Sequence, residues 1–171
     1  GSVDSVWMTH LPPEYGRMVE AEEAAAVLGL PLSEIAEDLP VIQVSTGMPF
    51  LMIPLRSRSA LSRAHVVHEK YELMKSALSV RALYPFTMET YEPTNRFGVR
   101  MFAPDYGIPE DAATGAGGGC LAAYALKHMM PDAAETAFSI EQGYEMGRPS
   151  LLFARASRGS HRIRVDVGGR V

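Results

Sequence analysis

The sequence has a single cysteine, no long apolar run and no strong excess of charge. One cysteine, Cys120, excludes an internal disulfide bond and a metal site built from cysteines alone. No apolar run approaches the roughly 20 residues that span a bilayer. The chain does not open on a charged segment followed by an apolar one, so we expect a cytoplasmic protein with no membrane partner.

The charge balance argues against nucleic acid as a partner. The 171 residues have a net charge of −4 and a pI near 5.7, whereas surfaces that bind phosphate backbones cluster lysine and arginine. Basic residues gather only near the end of the chain, where we interpret them as the solvated faces of two strands. They are Arg148, Arg155, Arg158, Arg162 and Arg164.

Length and composition predict one ordinary domain or one half of a two-domain protein. Hydrophobic residues make up 47% and charged residues 21% of the chain, as in globular proteins. Gly1 and Ser2 resemble the remnant of a purification tag, so we take residues 3–171 as the domain.

The hydrophobic patterns predict strands and helices in an irregular order, which favours an α+β fold over a doubly wound parallel sheet. Helices are predicted over 19–30, 31–39, 64–79 and 115–129. Strands are predicted in two runs within 41–55 and over 80–92, 95–104, 133–143, 150–159 and 160–169, with the last two forming a hairpin. The helix 115–129 is built from unusually small residues, so strands can surround it closely.

The helix 115–129 follows the stretch PEDAATGAGGG, residues 109–119. A helix N-terminus presents unpaired N–H groups and a positive dipole end, which attract anions. We expect Thr114 to cap the helix and the amides of residues 115–117 to face a small carboxylate. The carboxylates of Glu110 and Asp111 are either plain caps or a means of holding a substrate amine or hydroxyl.

Several segments resemble the phenazine-biosynthesis F-like proteins. The segment 100–104 reads RMFAP, and 107–115 reads GIPEDAATG, similar to the family's RMFAP…G…EDPATGSA signature. Residues 6–8 (VWM), 44–50 (VSTGMPF) and 142–150 (QGYEMGRPS) agree with the family in the same order. Ala112 and Ala116 depart from it, because the family usually has proline and serine there.

The resemblance implies a diaminopimelate-epimerase-like fold, in which each of two similar domains wraps a β-barrel-like sheet around a central helix. Family enzymes are isomerases or epimerases that need no cofactor and move a proton on a small amino or hydroxy acid. By motif, Asp111 is the substrate-binding acid and the one candidate catalytic residue. Glu110, Thr114, Gly115, Ala116 and Gly117 complete the predicted substrate site, and no metal is implied.

The same resemblance places this chain in the family's second domain only. The family's first domain carries a catalytic glutamate and a Gly-His pair, and we find no counterpart to either. One hypothesis is therefore a substrate-binding half-enzyme, inactive without an N-terminal-half protein. The alternative is a stand-alone, non-catalytic domain that binds a small ligand or associates with itself, and in either case we expect a homodimer through an exposed apolar face.

The remaining candidates have simpler interpretations. His65 and His68 share a helical spacing, but two histidines without further ligands indicate a surface pair more often than a metal site. Cys120 lies about two turns into the predicted central helix, where a core role is expected. In related racemases a catalytic cysteine stands at the position of Thr114, so this chain does not resemble a two-cysteine racemase.

Overall fold

The computed structural model describes residues 5–169, which form one mixed sheet of nine strands with four α-helices. The presumed tag residues Gly1 and Ser2 lie outside this range. The strands are β1 (Val6–Thr9), β2 (Glu14–Val19), β3 (Val41–Ser45), β4 (Pro49–Pro54), β5 (Ala82–Thr87), β6 (Phe97–Val99), β7 (Glu135–Gln142), β8 (Ser150–Arg158) and β9 (Ile163–Gly169). The helices are α1 (Ala21–Val27), α2 (Arg58–Arg63), α3 (His68–Ala77) and α4 (Gly115–Tyr124). The α+β class is thus confirmed.

The sheet curls around α4. Its strand order is β1-β9-β8-β7-β6-β5-β4-β3-β2, and side chains from most of these strands share one core with α4. Every residue of α4 from Gly117 to Tyr124 is buried. The predicted central helix is confirmed over its full length, although its last turn, Ala125–Met129, has the wider π-helical hydrogen bonding. Small residues on α4 let the strands approach it from several sides.

Helices α1, α2 and α3 cover the outer face of the strands in the middle of the sheet. Along β4, Phe50 and Met52 point to the core around α4, whereas Leu51 and Ile53 point to the second core beneath these helices. A strand buried on both faces reads as a continuous apolar run, because alternate residues serve different cores.

Several predicted elements differ in the structure. The helix predicted over 31–39 is only a 3₁₀ turn, Leu32–Glu34, because Ile35 turns to an extended conformation and bridges to Leu55. Strands β1 and β2 and helix α2 were not predicted, and the helix predicted over 64–79 begins only at His68. The β8–β9 hairpin is confirmed. Within the described residues, no helix has the length and apolar content needed to cross a bilayer.

Candidate functional site

The start of α4 is held in place by the segment that precedes it. Pro104–Tyr106 forms a 3₁₀ turn that ends at Gly107, whose φ of 70° favours glycine. Ala103 and Ile108 then pair as a bridge, and the Asp111 N–H donates to the Met101 carbonyl at 3.1 Å. These backbone contacts bring Asp111 to the N-terminal end of the central helix.

Asp111, Thr114 and Gln142 form one hydrogen-bonded group at this end of the helix. The Thr114 hydroxyl donates to Asp111 Oδ2 at 2.6 Å, and the Gln142 amide donates to Thr114 Oγ1 at 2.9 Å. The Gln142 amide oxygen accepts the Thr114 N–H at 3.0 Å. Sequence reasoning missed Gln142, which is buried at the end of β7 and fixes the orientation of the Thr114 hydroxyl toward the carboxylate.

The prediction that Thr114 caps α4 with its side chain is wrong. Thr114 occupies the N-cap position, but its side chain makes no capping hydrogen bond. Its hydroxyl hydrogen is directed to Asp111, and its hydroxyl oxygen already accepts from Gln142. The amides of the first helical turn are therefore left for another acceptor.

Three backbone amides remain open at the helix start. The first bond into α4 runs from the Gly118 N–H to the Thr114 carbonyl at 3.0 Å. Within residues 5–169, the N–H groups of Gly115, Ala116 and Gly117 have no acceptor, as expected for a first turn without a cap. Gly115 and Ala116 are partly exposed, so these amides and the positive end of the helix dipole can meet a small anion.

Glu110 has a different environment from Asp111. Its two oxygens each accept one hydrogen bond of 2.8 Å from Arg100, which forms a paired, two-pronged contact. Arg100 is only 9% exposed and also donates to the carbonyls of Leu61, Ser62 and Ala64. A substrate-binding role for Glu110 stays a prediction, but its carboxylate is already bound to Arg100, which in turn contacts the carbonyls of α2.

A tight contact beneath the helix start explains Gly117. A Cβ at this position would stand 2.2 Å from Tyr84 Cε2, and the buried Tyr84 ring packs edge-on against Phe50. The Tyr84 hydroxyl is buried without a hydrogen-bond partner in residues 5–169. Burial raises the pKa of this hydroxyl, so it stays protonated as a potential donor near the site.

Cys120 is a core residue, as predicted. It is fully buried, and burial raises the pKa of its thiol to about 11. A thiol with so high a pKa is protonated at neutral pH and is a poor nucleophile.

The histidines do not extend the site at Asp111. His65 Nδ1 donates a hydrogen bond to the Arg63 carbonyl at 3.1 Å, and His68 Nε2 lies 3.9 Å from the Glu72 carboxylate. The described residues contain no group of three metal-binding side chains. His10 lies 3.1 Å from Thr46 Oγ1, and burial lowers the pKa of its imidazole.

The site combines positive and negative character within a few residues. Open amides at Gly115–Gly117 favour a carboxylate, and the adjacent Asp111 carboxylate favours an ammonium or hydroxyl group. This arrangement suits a small amino or hydroxy acid better than a bare anion, because Asp111 repels a second negative charge.

Comparison with known proteins identifies similar chains. The family model described as phenazine biosynthesis-like protein matches residues 3–171. A trans-2,3-dihydro-3-hydroxyanthranilate isomerase of Pseudomonas chlororaphis is 33% identical over 99% of this chain and 56% of its own length. An uncharacterised isomerase of Bacillus subtilis is 29% identical over 88% of this chain and 51% of its own. The chain therefore spans about half the length of these curated relatives.

Two solved structures are similar in fold. A phenazine biosynthesis protein of Bacillus anthracis superposes with a TM-score of 0.88 at 23% identity, covering 96% of this chain and 57% of that one. A predicted epimerase of Pseudomonas aeruginosa superposes with a TM-score of 0.75 at 26% identity, covering 97% and 55%. These likenesses confirm the predicted diaminopimelate-epimerase-like fold.

Proposed function

Because the chain belongs to the phenazine biosynthesis-like protein family, we propose that it is the substrate-binding half of an isomerase or epimerase. Its substrate class is a small amino or hydroxy acid, and the reaction moves a proton without a cofactor. The observation that carries the proposal is the position of Asp111 beside three open amides at the start of the central helix. The relatives named as isomerases support the reaction class.

In this proposal the helix start binds the substrate carboxylate, and Asp111 orients the substrate. The amides of Gly115, Ala116 and Gly117 hold the substrate carboxylate, and the helix dipole adds to their attraction. Asp111 holds the substrate amine or hydroxyl. The hydrogen bond from the Thr114 hydroxyl keeps the Asp111 carboxylate oriented toward that substrate group. The substrate carbon that loses its proton is thereby fixed, which is a prerequisite for its transfer.

Moving the proton on the bound substrate requires an acid or base besides Asp111. Within residues 5–169, the only side chain hydrogen-bonded to the Asp111 carboxylate is Thr114, whose hydroxyl is too weak an acid to serve. Proton transfer requires a titratable group within hydrogen-bond reach of the moving proton. We propose that a further segment, of the kind that the longer relatives possess, supplies this group across from the helix start.

The proposal predicts that the chain alone exchanges no substrate protons. We expect the α-hydrogen signals of small amino and hydroxy acids in heavy water to persist with this protein, because Asp111 is occupied by the substrate amine or hydroxyl and, within residues 5–169, no second titratable side chain is hydrogen-bonded to it. Proton NMR over hours measures the loss of these signals. Exchange that Asp111→Asn abolishes and the exposed Asp132→Asn leaves unchanged would contradict the proposal, since the chain would then carry its own complete machinery.

One observation favours a second candidate function, self-association of a non-catalytic domain. Val6, Met8 and Leu11 are 57%, 67% and 65% exposed, and Met8 pairs with Val167, which packs beside the start of α4. Exposed apolar side chains next to a polar site mark a surface that another chain covers. Light scattering at high concentration distinguishes a dimer that covers it from a monomer that awaits a different partner.

A further inference from the structure

The outer face of the sheet, opposite the face that packs against α4, carries a second group of charged side chains. In the register of β8 and β9, Arg155 stands opposite Asp166 and Ser157 stands opposite Arg164. Ala154 and Ala156 belong to the core around α4. Because alternate residues of a strand point to opposite faces, Arg155 and Ser157 lie on the side away from α4.

Asp166 organises this face. It is 5% exposed and accepts hydrogen bonds from Arg155 Nε and Arg164 Nε, each at 3.1 Å to Oδ2, and from the Thr9 hydroxyl. The Arg164 guanidinium holds the pKa of Asp166 down to about 2. The carboxylate therefore stays ionised at neutral pH, and its hydrogen bonds fix the positions of both guanidinium groups.

The two arginines keep hydrogen-bond donors that neither Asp166 nor Thr9 engages. Arg155 is engaged only through Nε, and its guanidinium carbon lies 4.5 Å from the centre of the Trp7 ring, which fixes its plane. Within residues 5–169, the terminal nitrogens of Arg155, the Nη1 of Arg164 and the hydroxyl of Ser157 have no hydrogen-bond partner. Two positive charges share one carboxylate, so the group has a net charge of +1.

A depression of about 660 Å³ lies over these donors. Its lining includes Arg155, Arg164, Ser157 and Thr136, with Glu135 as the one carboxylate not bound to either arginine. This volume is in the range of small-molecule sites, about 300–1,000 Å³. The charged side chains in its lining favour a charged ligand over an apolar one.

We propose that this depression is a binding site for a small molecule that bears a phosphate group. A phosphate offers three acceptor oxygens and roughly two negative charges, which match two guanidinium groups from neighbouring strands and the hydroxyl of Ser157, which stands opposite Arg164 in the register. Guanidinium groups suit phosphate geometry through parallel N–H donors. A ligand with one carboxylate in place of the phosphate accepts hydrogen bonds from fewer of these donors. The nearby Glu135 still repels such a ligand, and the arginines attract its single charge less strongly than they attract a phosphate.

Titration with inorganic phosphate and with glycerol 3-phosphate, at constant ionic strength set with chloride, tests the site. The Nε–Hε NMR signals of Arg155 and Arg164 are expected to shift and saturate in the millimolar range. We expect Arg155→Gln and Arg164→Gln each to weaken binding about tenfold, equivalent to about 1.4 kcal/mol. Glu135→Gln, which removes a repulsive charge, is expected to tighten it about threefold. Tighter binding of glycerol 3-phosphate than of inorganic phosphate identifies a phosphorylated metabolite as the ligand, whereas equal binding identifies the free ion.

Arg162→Gln is the matched control, because Arg162 is exposed in the β8–β9 turn and does not line the depression. It is expected to leave the affinity unchanged. Shifts that never saturate, an Arg162→Gln effect as large as that of Arg155→Gln, or weaker binding in Glu135→Gln would each overturn the proposal, since the response would then reflect diffuse surface charge.

Discussion

Replacing Arg100 by methionine is expected to lower the free energy of unfolding by about 3 to 5 kcal/mol, the usual cost of removing one partner of a buried ion pair. Methionine keeps most of the apolar stem but leaves the Glu110 carboxylate, which is mostly buried, without its counter-charge. The carbonyls of Leu61, Ser62 and Ala64 lose a shared donor as well. Urea unfolding followed by circular dichroism measures the change.

The control for this variant is Arg56→Met. Arg56 pairs with Glu37 at 3.0 Å, but these two side chains are 45% and 83% exposed. Exposed ion pairs contribute about 0 to 1 kcal/mol, so we expect little change. A loss below about 1 kcal/mol in Arg100→Met would show that the contact does not anchor the segment before α4.

Replacing Gly117 by alanine is expected to destabilise the protein by about 1 kcal/mol, although alanine is the better helix former. The new Cβ would stand 2.2 Å from Cε2 and 2.7 Å from Cδ2 of Tyr84. Overpacking a core costs about 1 to 3 kcal/mol, which exceeds the gain of up to about 1 kcal/mol in helix propensity. The shift of the urea midpoint reports the balance.

Gly115→Ala provides the matched comparison in the same helix turn. Its Cβ would meet only Val167 Cγ1 at 3.6 Å, an ordinary contact, so we expect unchanged or slightly greater stability. Tyr84→Leu in the Gly117→Ala background should recover part of the loss, because it removes the ring that the new methyl group meets. Equal effects of Gly115→Ala and Gly117→Ala would refute the packing explanation of this glycine.

An element could be predicted from the sequence where its local residue pattern also matched its packing in the fold. Helix 115–129 was predictable, because its small residues serve both the helix and the sheet that surrounds it. Helix α2 was missed, although Ser57 is a recognisable cap whose side chain accepts the Ala60 N–H. Strands β1 and β2 are short and largely exposed. The apolar run of β1 covers only Val6–Met8, and β2 (EYGRMV) has no regular apolar/polar alternation, so neither segment is identified as a strand by its pattern.

The positions of Asp111 and Thr114 in the fold were predictable from the motif, but their hydrogen-bond partners were not. The motif placed Asp111 and Thr114 at the helix start, and the structure places them there. The partners of Glu110 and Thr114 come from distant segments, Arg100 and Gln142, and side-chain pairings of this kind leave no local pattern. The terminal arginines, which the sequence suggested were simply solvated, differ individually: Arg158 binds three backbone carbonyls, whereas Arg155 and Arg164 share Asp166.

Ligand titration followed through the amide NMR signals of residues 111–119 tests most directly whether the start of α4 is a substrate site. The account predicts that a small amino acid shifts the signals of Gly115–Gly117 with an affinity no tighter than about millimolar, because the site is open to water. It predicts weaker binding of acetate, and loss of this preference in Asp111→Asn, which removes the charge that attracts an ammonium group. Signals that stay unmoved at high amino-acid concentration, or an unchanged preference in Asp111→Asn, would contradict it and leave the glycine-rich turn as a packing feature alone.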